Sequence, residues 1–142
     1  MYEYSTEDAE RLKRNLNRLQ KKLDETISIL DEIGHPKASR VIIAPIFFGG
    51  NLHVYRKQYS ESIIKLQSFQ YMQSKLKEEL ESGKISENYF WNSIGLLWIK
   101  DIAYADIEVL IEKLSQHRSH KSVMYRLMEL SEKIQKIIEL IR

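Results

Sequence analysis

The stepping of the apolar residues constrains this chain most. Leu12, Leu16, Leu19, Leu23, Leu30 and Ile33 follow a three- and four-residue repeat that gathers them on one side of an α-helix and would scatter them over both faces of a strand. Ser5 and Thr6 ahead of Glu7 and Asp8 supply an N-cap with acids in the first turn. Gly34, with Pro36 two residues on, supplies a left-handed cap and a residue that cannot continue the helix, so this helix is expected to end near Ile33. The repeat returns in Leu52, Tyr55, Tyr59, Ile63, Leu66, Phe69, Leu76 and Leu80, between a Gly49-Gly50-Asn51 break, where Asn51 suits an N-cap, and Ser82-Gly83. Ser86, Glu87 and Asn88 open a third helix, whose Phe90, Trp91, Ile94, Leu97, Trp98, Ile102, Ile107, Leu110, Ile111 and Leu114 make it the most apolar and the expected central element. After Gln116-His117-Arg118-Ser119, a terminal helix is marked by Val123, Leu127, Leu130, Ile134, Ile137, Ile138 and Ile141. Between Pro36 and Phe48, Val41-Ile42-Ile43-Ala44 suits a buried helix or a strand, and Pro45 opposes a central strand and a regular helix alike; a short helix is the favoured reading. The expectation is an all-α fold: an irregular bundle of four long helices plus a short helix at 36–48, in a single domain over 1–142.

Composition narrows the chemistry. A chain of 142 residues with 43% apolar residues is long enough for one ordered core. With no cysteine, thiolate–metal sites, iron–sulfur clusters, disulfides and thiol nucleophiles are excluded, and a reducing compartment is expected. The N-terminus has neither a basic nor an apolar leader region, and the longest apolar run, Val41 to Phe48, is too short to span a bilayer, so the expected location is cytoplasmic with no membrane partner. Among helical-enzyme signatures, only Glu32-Ile33-Gly34-His35 has Glu-x-x-His spacing, at a helix end. His-Glu-x-x-His, P-loop and Gly-x-Ser-x-Gly patterns are all missing. His117-Arg118-Ser119-His120 could offer two imidazoles to a metal, but a bare His-x-x-His at a helix junction reads first as surface. No catalytic residue and no metal site are expected.

The net charge of +2 conceals an uneven distribution. Arg11, Lys13, Arg14, Arg18, Lys21 and Lys22 crowd the first helix, and with Glu10, Asp24 and Glu25 nearby they read as a solvated face. From Pro36 to Lys65, the cations Lys37, Arg40, Arg56, Lys57 and Lys65 meet a single acid, Glu61, with His53, Tyr55 and Tyr59 interleaved. A glycine-led helix start carrying His and Arg can converge free N–H groups, the helix dipole and guanidinium donors on a phosphate. The same residues also suit a wet helix face with Tyr55 and Tyr59 in the core, and composition alone does not separate the two readings.

His35-Pro36, then thirteen residues, then Gly50-Asn51-Leu52-His53-Val54-Tyr55-Arg56-Lys57-Gln58-Tyr59 resembles the C-terminal domain of the large subunit of archaeal and eukaryotic DNA primase. That family carries a Pro-Cys at a helix start, a Gly-x-Asn-Leu-type turn and His-x-x-Arg opening the next helix. Leu97 to Asp101 running into Ala105 to Leu110 is similar to a helix–turn–acidic helix segment of the same domain. The family domain holds a four-cysteine iron–sulfur cluster, whereas here Lys37 and Ala38 stand where the first cysteine would fall, so that cluster cannot form. The resemblance is therefore to a cluster-less relative, the PriX-type noncatalytic subunit of some archaeal primases.

The resemblance implies a noncatalytic DNA primase accessory subunit that binds the initiating nucleoside triphosphate, as its magnesium complex and with no resident cofactor, and assists primer synthesis in DNA replication. His53 and Arg56 would be triphosphate ligands, Asn51 and Tyr59 would position base, sugar or phosphate, and Lys65 would be a further ligand nine residues from Arg56. The implied partners are the catalytic and large primase subunits and template DNA, with polymerisation residing outside this chain. The rival reading is a helical interaction or dimerisation module with no nucleotide role, because Tyr89 to Ile99 is apolar nearly all round. A third is nonspecific nucleic-acid binding through the first helix.

Overall fold

The computed structural model describes residues 6–34, 48–86, 89–90 and 93–141, with the backbone alone over 48–55 and at Ser93. The described chain forms five helices: α1 (Thr6–Gly34), α2 (Phe48–Glu81), α3 (Ser93–Ala103), α4 (Ile107–Ser115) and α5 (His120–Leu140). The all-α expectation holds. The short helix expected at 36–48 lies outside the described residues except for its last position, where α2 already begins.

The buried positions keep a strict rhythm. In α1 they are Ala9, Leu12, Leu16, Leu19, Leu23, Thr26 and Leu30; in α2, Tyr59, Ser62, Leu66, Phe69, Gln73 and Leu76; in α5, Val123, Leu127, Leu130, Ile134 and Ile137, with Gln58 and Ser131 buried beside the repeat. Alternating steps of three and four average 3.5, the period that keeps one seam facing a partner helix in left-handed, coiled-coil-like packing. The two buried hydroxyls in this series are satisfied within their own helices, Thr26 donating to Lys22 O at 2.7 Å and Ser62 to Gln58 O at 2.9 Å.

Cross-helix contacts fix the topology. Arg11 with Glu79, Lys65 with Glu25 and Gln58 with Glu32 set α1 and α2 antiparallel. Ser131 donates to Asp24 at 2.7 Å and its carbonyl accepts from Gln20 at 3.2 Å, placing the middle of α5 beside the middle of α1. Lys133 reaches Asp101 at 3.2 Å, joining α5 to α3, and Gln70 reaches Glu108 at 3.0 Å, joining α2 to α4. The result is an up-down-up-down bundle in which α3 and α4 together supply the third leg.

That third leg corrects the single helix expected from Ser86 to Leu114. The chain leaves the helix at Tyr104-Ala105-Asp106, and Asp106 restarts it by accepting from Val109 N at 3.2 Å. Buried Gln73 on α2 secures the break, its amide nitrogen donating to Ile102 O and Ala105 O, both at 2.9 Å. Ala103 and Ile107, four apart and both buried, carry the apolar periodicity through the break, which is why the pattern concealed it. Gly95 lets α3 approach closely: a Cβ there would fall on the Phe90 ring.

The ends of α2 also differ in legibility. Gly83, at φ +80°, closes it as expected, with Lys84 N bonded to Glu79 O at 3.0 Å and Gly83 N to Leu80 O at 3.2 Å. At the other end the helix starts at Phe48, so Gly49, Gly50 and Asn51 lie inside its first turn and Asn51 is not the N-cap. Glycine weakens a helix through its backbone freedom, and it does so least in a first turn, where the N–H groups have no intrahelical partner to hold in place.

Candidate functional site

The pairs that align α1 with α2 place Gly34, the last residue of α1, opposite about residue 56 of α2. The first two turns of α2, carrying Asn51 and His53, therefore run past the end of α1. The first turn of α2 holds no acid. Arg56 and Lys57 follow as exposed residues, Lys57 lying 3.9 Å from Glu61. Tyr59 is different, buried at 7% exposure.

What covers Tyr59 is the connection between α4 and α5. His117 stacks on its ring, centroids 5.0 Å apart and planes 23° apart, and the phenol oxygen lies 3.3 Å from His120 Nδ1. Burial pushes the Tyr59 phenol up from its ordinary range, so it acts as a neutral hydrogen-bonding group. Burial also holds the His120 imidazole below its ordinary range, with the Lys121 charge adding to the effect.

The connection is built to turn sharply. His117 N bonds to Leu114 O at 3.0 Å and Arg118 N to Lys113 O at 3.4 Å, a paired helix cap in which His117, at φ 53°, takes the left-handed position usually given to glycine. Ser119, at φ 61°, is also left-handed and makes no side-chain cap to α5. The first turn of α5 contains no acid, and Arg118 and Lys121 are exposed beside it. Two buried polar atoms next to Tyr59, Gln58 Oε1 and His120 Nε2, have no hydrogen-bond partner among the described residues.

The structure thus brings Tyr59 together with His117 and His120, and sets the starts of α2 and α5 at one end of the bundle. Helices α1 and α4 finish at that end, so the four dipoles largely alternate and side chains decide the sign. Among the described residues the cations are Arg56, Lys57, Lys113, Arg118 and Lys121; the acids are Asp31, Glu32, Glu61 and Glu112, of which Glu32 accepts from Gln58 at 3.2 Å. Lys65 stands apart from this group, bonded to Glu25 at 2.6 Å. Among the described residues no three His, Asp or Glu side chains gather as a metal site. No helix is long and apolar enough to cross a membrane, as judged over the described residues.

The sequence reading singled out Tyr59 but not its partners. The signal available was the His-x-x-His of the connection, weighed as a metal motif and read first as surface. Comparison with protein-family models, with curated proteins and with solved structures finds no match to this chain.

Proposed function

We propose that this protein is a noncatalytic subunit that binds the phosphate tail of a nucleoside triphosphate where α2 and α5 begin, and that it serves primer initiation beside a catalytic primase partner. The observation that carries this reading is the contact that seats the start of α5 against α2: Tyr59, about three turns into α2, joined to His120 of α5, with Arg56, Lys57, Arg118 and Lys121 around them and no acid in the first turn of either helix. Free N–H groups at a helix start, with guanidinium and ammonium donors nearby, suit a multiply charged phosphate better than a single carboxylate. Gly49 and Gly50 in the first turn of α2 leave its backbone approachable. Lys65, held by Glu25, is not needed for this reading.

Holding the first nucleotide beside the second turns an encounter of separate molecules into a preorganised step, which helps initiation and not extension of an existing primer. The test is an amide NMR titration of the full chain with ATP and with AMP. Shifts confined to the starts of α2 and α5, larger with ATP, support the reading; no localised shift at millimolar ATP removes it. Combined with catalytic and large primase subunits, Arg56→Ala should slow initiation more than elongation.

The rival reading of an interaction module has its own observation. Ile94 and Leu97, one turn apart on α3, are 46% and 57% exposed. A docking role there predicts association with a partner or a second copy that Leu97→Lys abolishes and ATP leaves unchanged.

A further inference from the structure

Antiparallel packing places side by side two stretches that are far apart in the chain and both free of acids. From Arg11 to Leu23 the sequence has six cations and no carboxylate, and from Ser62 to Lys77 it has three lysines and no carboxylate. The Arg11–Glu79 contact closes one end of this paired zone and the 2.6 Å Lys65–Glu25 bond closes the other. Of the acids that made the α1 cations read as a balanced solvated face, Glu10 precedes this stretch, Asp24 accepts from Ser131, and Glu25 takes Lys65 and, at 4.0 Å, Lys22; Asp24 and Glu25 border the face where they line a recess with Lys21.

What remains outward is a basic face with an aromatic on it. Arg14, Arg18 and Lys21 are exposed at i, i+4 and i+7, within about 60° of one another around the helix and spanning ~10 Å along it. Across the seam, Arg18 and Lys75 line one recess of about 90 Å³ together with Asn15, Leu19, Met72 and Leu76. Lys75 Nζ lies 5.0 Å from the centroid of the Tyr71 ring, which is 66% exposed. A surface on which cations outnumber acids, with Glu78 and Glu79 at its edge beside Lys75, favours a polyanion, and the ring exposed next to Lys75 offers a stacking surface for an unpaired base.

We propose that this α1–α2 face binds single-stranded nucleic acid, with backbone phosphates on Arg14, Arg18, Lys21 and Lys75 and a base stacked on Tyr71. The face lies along the middle of the bundle and involves none of the residues at the starts of α2 and α5, so it does not rest on the triphosphate reading.

The test is fluorescence anisotropy of a labelled twenty-residue oligothymidylate with the full chain over a range of salt. Arg14→Glu, Arg18→Glu and Lys21→Glu together should weaken binding at least tenfold. They should also make the slope of log K against log salt shallower by about 2, roughly 0.7 for each phosphate contact removed. A control with the same charge change, Lys100→Glu, Lys113→Glu and Lys136→Glu on α3, α4 and α5, should weaken it less than threefold. Tyr71→Ala should cost about fivefold or more and leave the salt slope unchanged. Circular dichroism checks that each variant remains helical. Equal losses from both triple variants, or no binding at low salt, would overturn the proposal. Binding to phosphatidylglycerol vesicles but not to the oligonucleotide would overturn it in favour of a membrane surface. Because Arg56→Ala leaves this face intact, loss of ATP shifts and loss of oligonucleotide binding separate in the same set of proteins.

Discussion

Tyr59 and His120 lie 61 positions apart, and no periodicity links them; only the reversal of direction between α4 and α5 brings His120 to the phenol. Tyr59 was legible as a residue of interest because cations and glycines surround it, yet its burial and both of its ring partners belong to the tertiary fold. A neutral imidazole can serve the phenol through Nδ1 as donor or acceptor, whereas a charged one carries N–H on both nitrogens, one of them at the buried, unpartnered Nε2. Because the folded state holds the His120 pKa below that of the unfolded chain, the unfolded state binds the extra proton first as pH falls. This contribution is fully present above the ordinary histidine range and is lost as pH drops through the folded value. His120→Gln should therefore flatten the fall of the thermal midpoint below about pH 6.5, the ordinary range of histidine, relative to the parent protein. Identical acid limbs would show that this ring is not responsible. His117 offers a second check on the same connection. Its left-handed backbone costs ~1 kcal/mol or more for a residue with a Cβ, so His117→Gly should be more stable than His117→Ala by about that amount, both having lost the stack on Tyr59. Urea denaturation measures the difference, and an alanine variant as stable as the glycine one contradicts the cap.

The same contrast between local signal and distant partner governs the helices. The end of α2 at Gly83 could be read because a Ser-Gly pair closing an apolar repeat is a local, covalent signal. The break between α3 and α4 could not, because Ile99, Ala103, Ile107, Leu110 and Leu114 are all buried on either side of it and continue the repeat across Tyr104 to Asp106. Asp106 is an N-cap residue in sequence as in structure, but its message is weak beside ten apolar positions. The stronger determinant, Gln73, comes from another helix and gives a second donor to two carbonyls at the break, Ile102 O and Ala105 O, which otherwise accept only from Ala105 N at 3.4 Å and Ile107 N at 3.0 Å. Gln73→Leu keeps the volume of the side chain but strips both carbonyls of their side-chain donor in a buried place, and it should destabilise the bundle by about 1–3 kcal/mol. Asp106→Ala, removing an exposed cap, should cost nearer 1 kcal/mol. A Gln73→Leu protein as stable as its parent would mean that water reaches the break and the splint is dispensable.

At the scale of the molecule, the sequence announces four helical stretches but not which neighbours which, since apolar repeats of equal period can pair in either direction. Charge resolves the direction between α1 and α2. Toward α2, α1 presents Arg11 near its start and Glu25 and Glu32 toward its end, while α2 presents Gln58 and Lys65 early and Glu79 late. Antiparallel packing matches these signs, and a parallel arrangement would set Arg11 near Lys65 and Glu25 near Glu79. The pairs are half-exposed, so each contributes only ~0.2–1 kcal/mol, yet they act on direction and register rather than on total stability. The hydrogen bond from Lys65, more than any other influence, holds the Glu25 carboxyl below its ordinary range. The contribution is therefore present above that range and disappears as pH falls through the lowered value. Lys65→Glu alone should lower stability by up to about 1 kcal/mol through like-charge contact with Glu25, and the double exchange Glu25→Lys with Lys65→Glu should restore most of it. A cycle of the four proteins measured near neutral pH should show this coupling, and the coupling should fade in acid as the carboxylates take up protons. A double variant no more stable than the sum of the two single changes would mean that the apolar seam alone aligns α1 with α2. The closing of the acid-free face by the Lys65–Glu25 bond would then be incidental to the register.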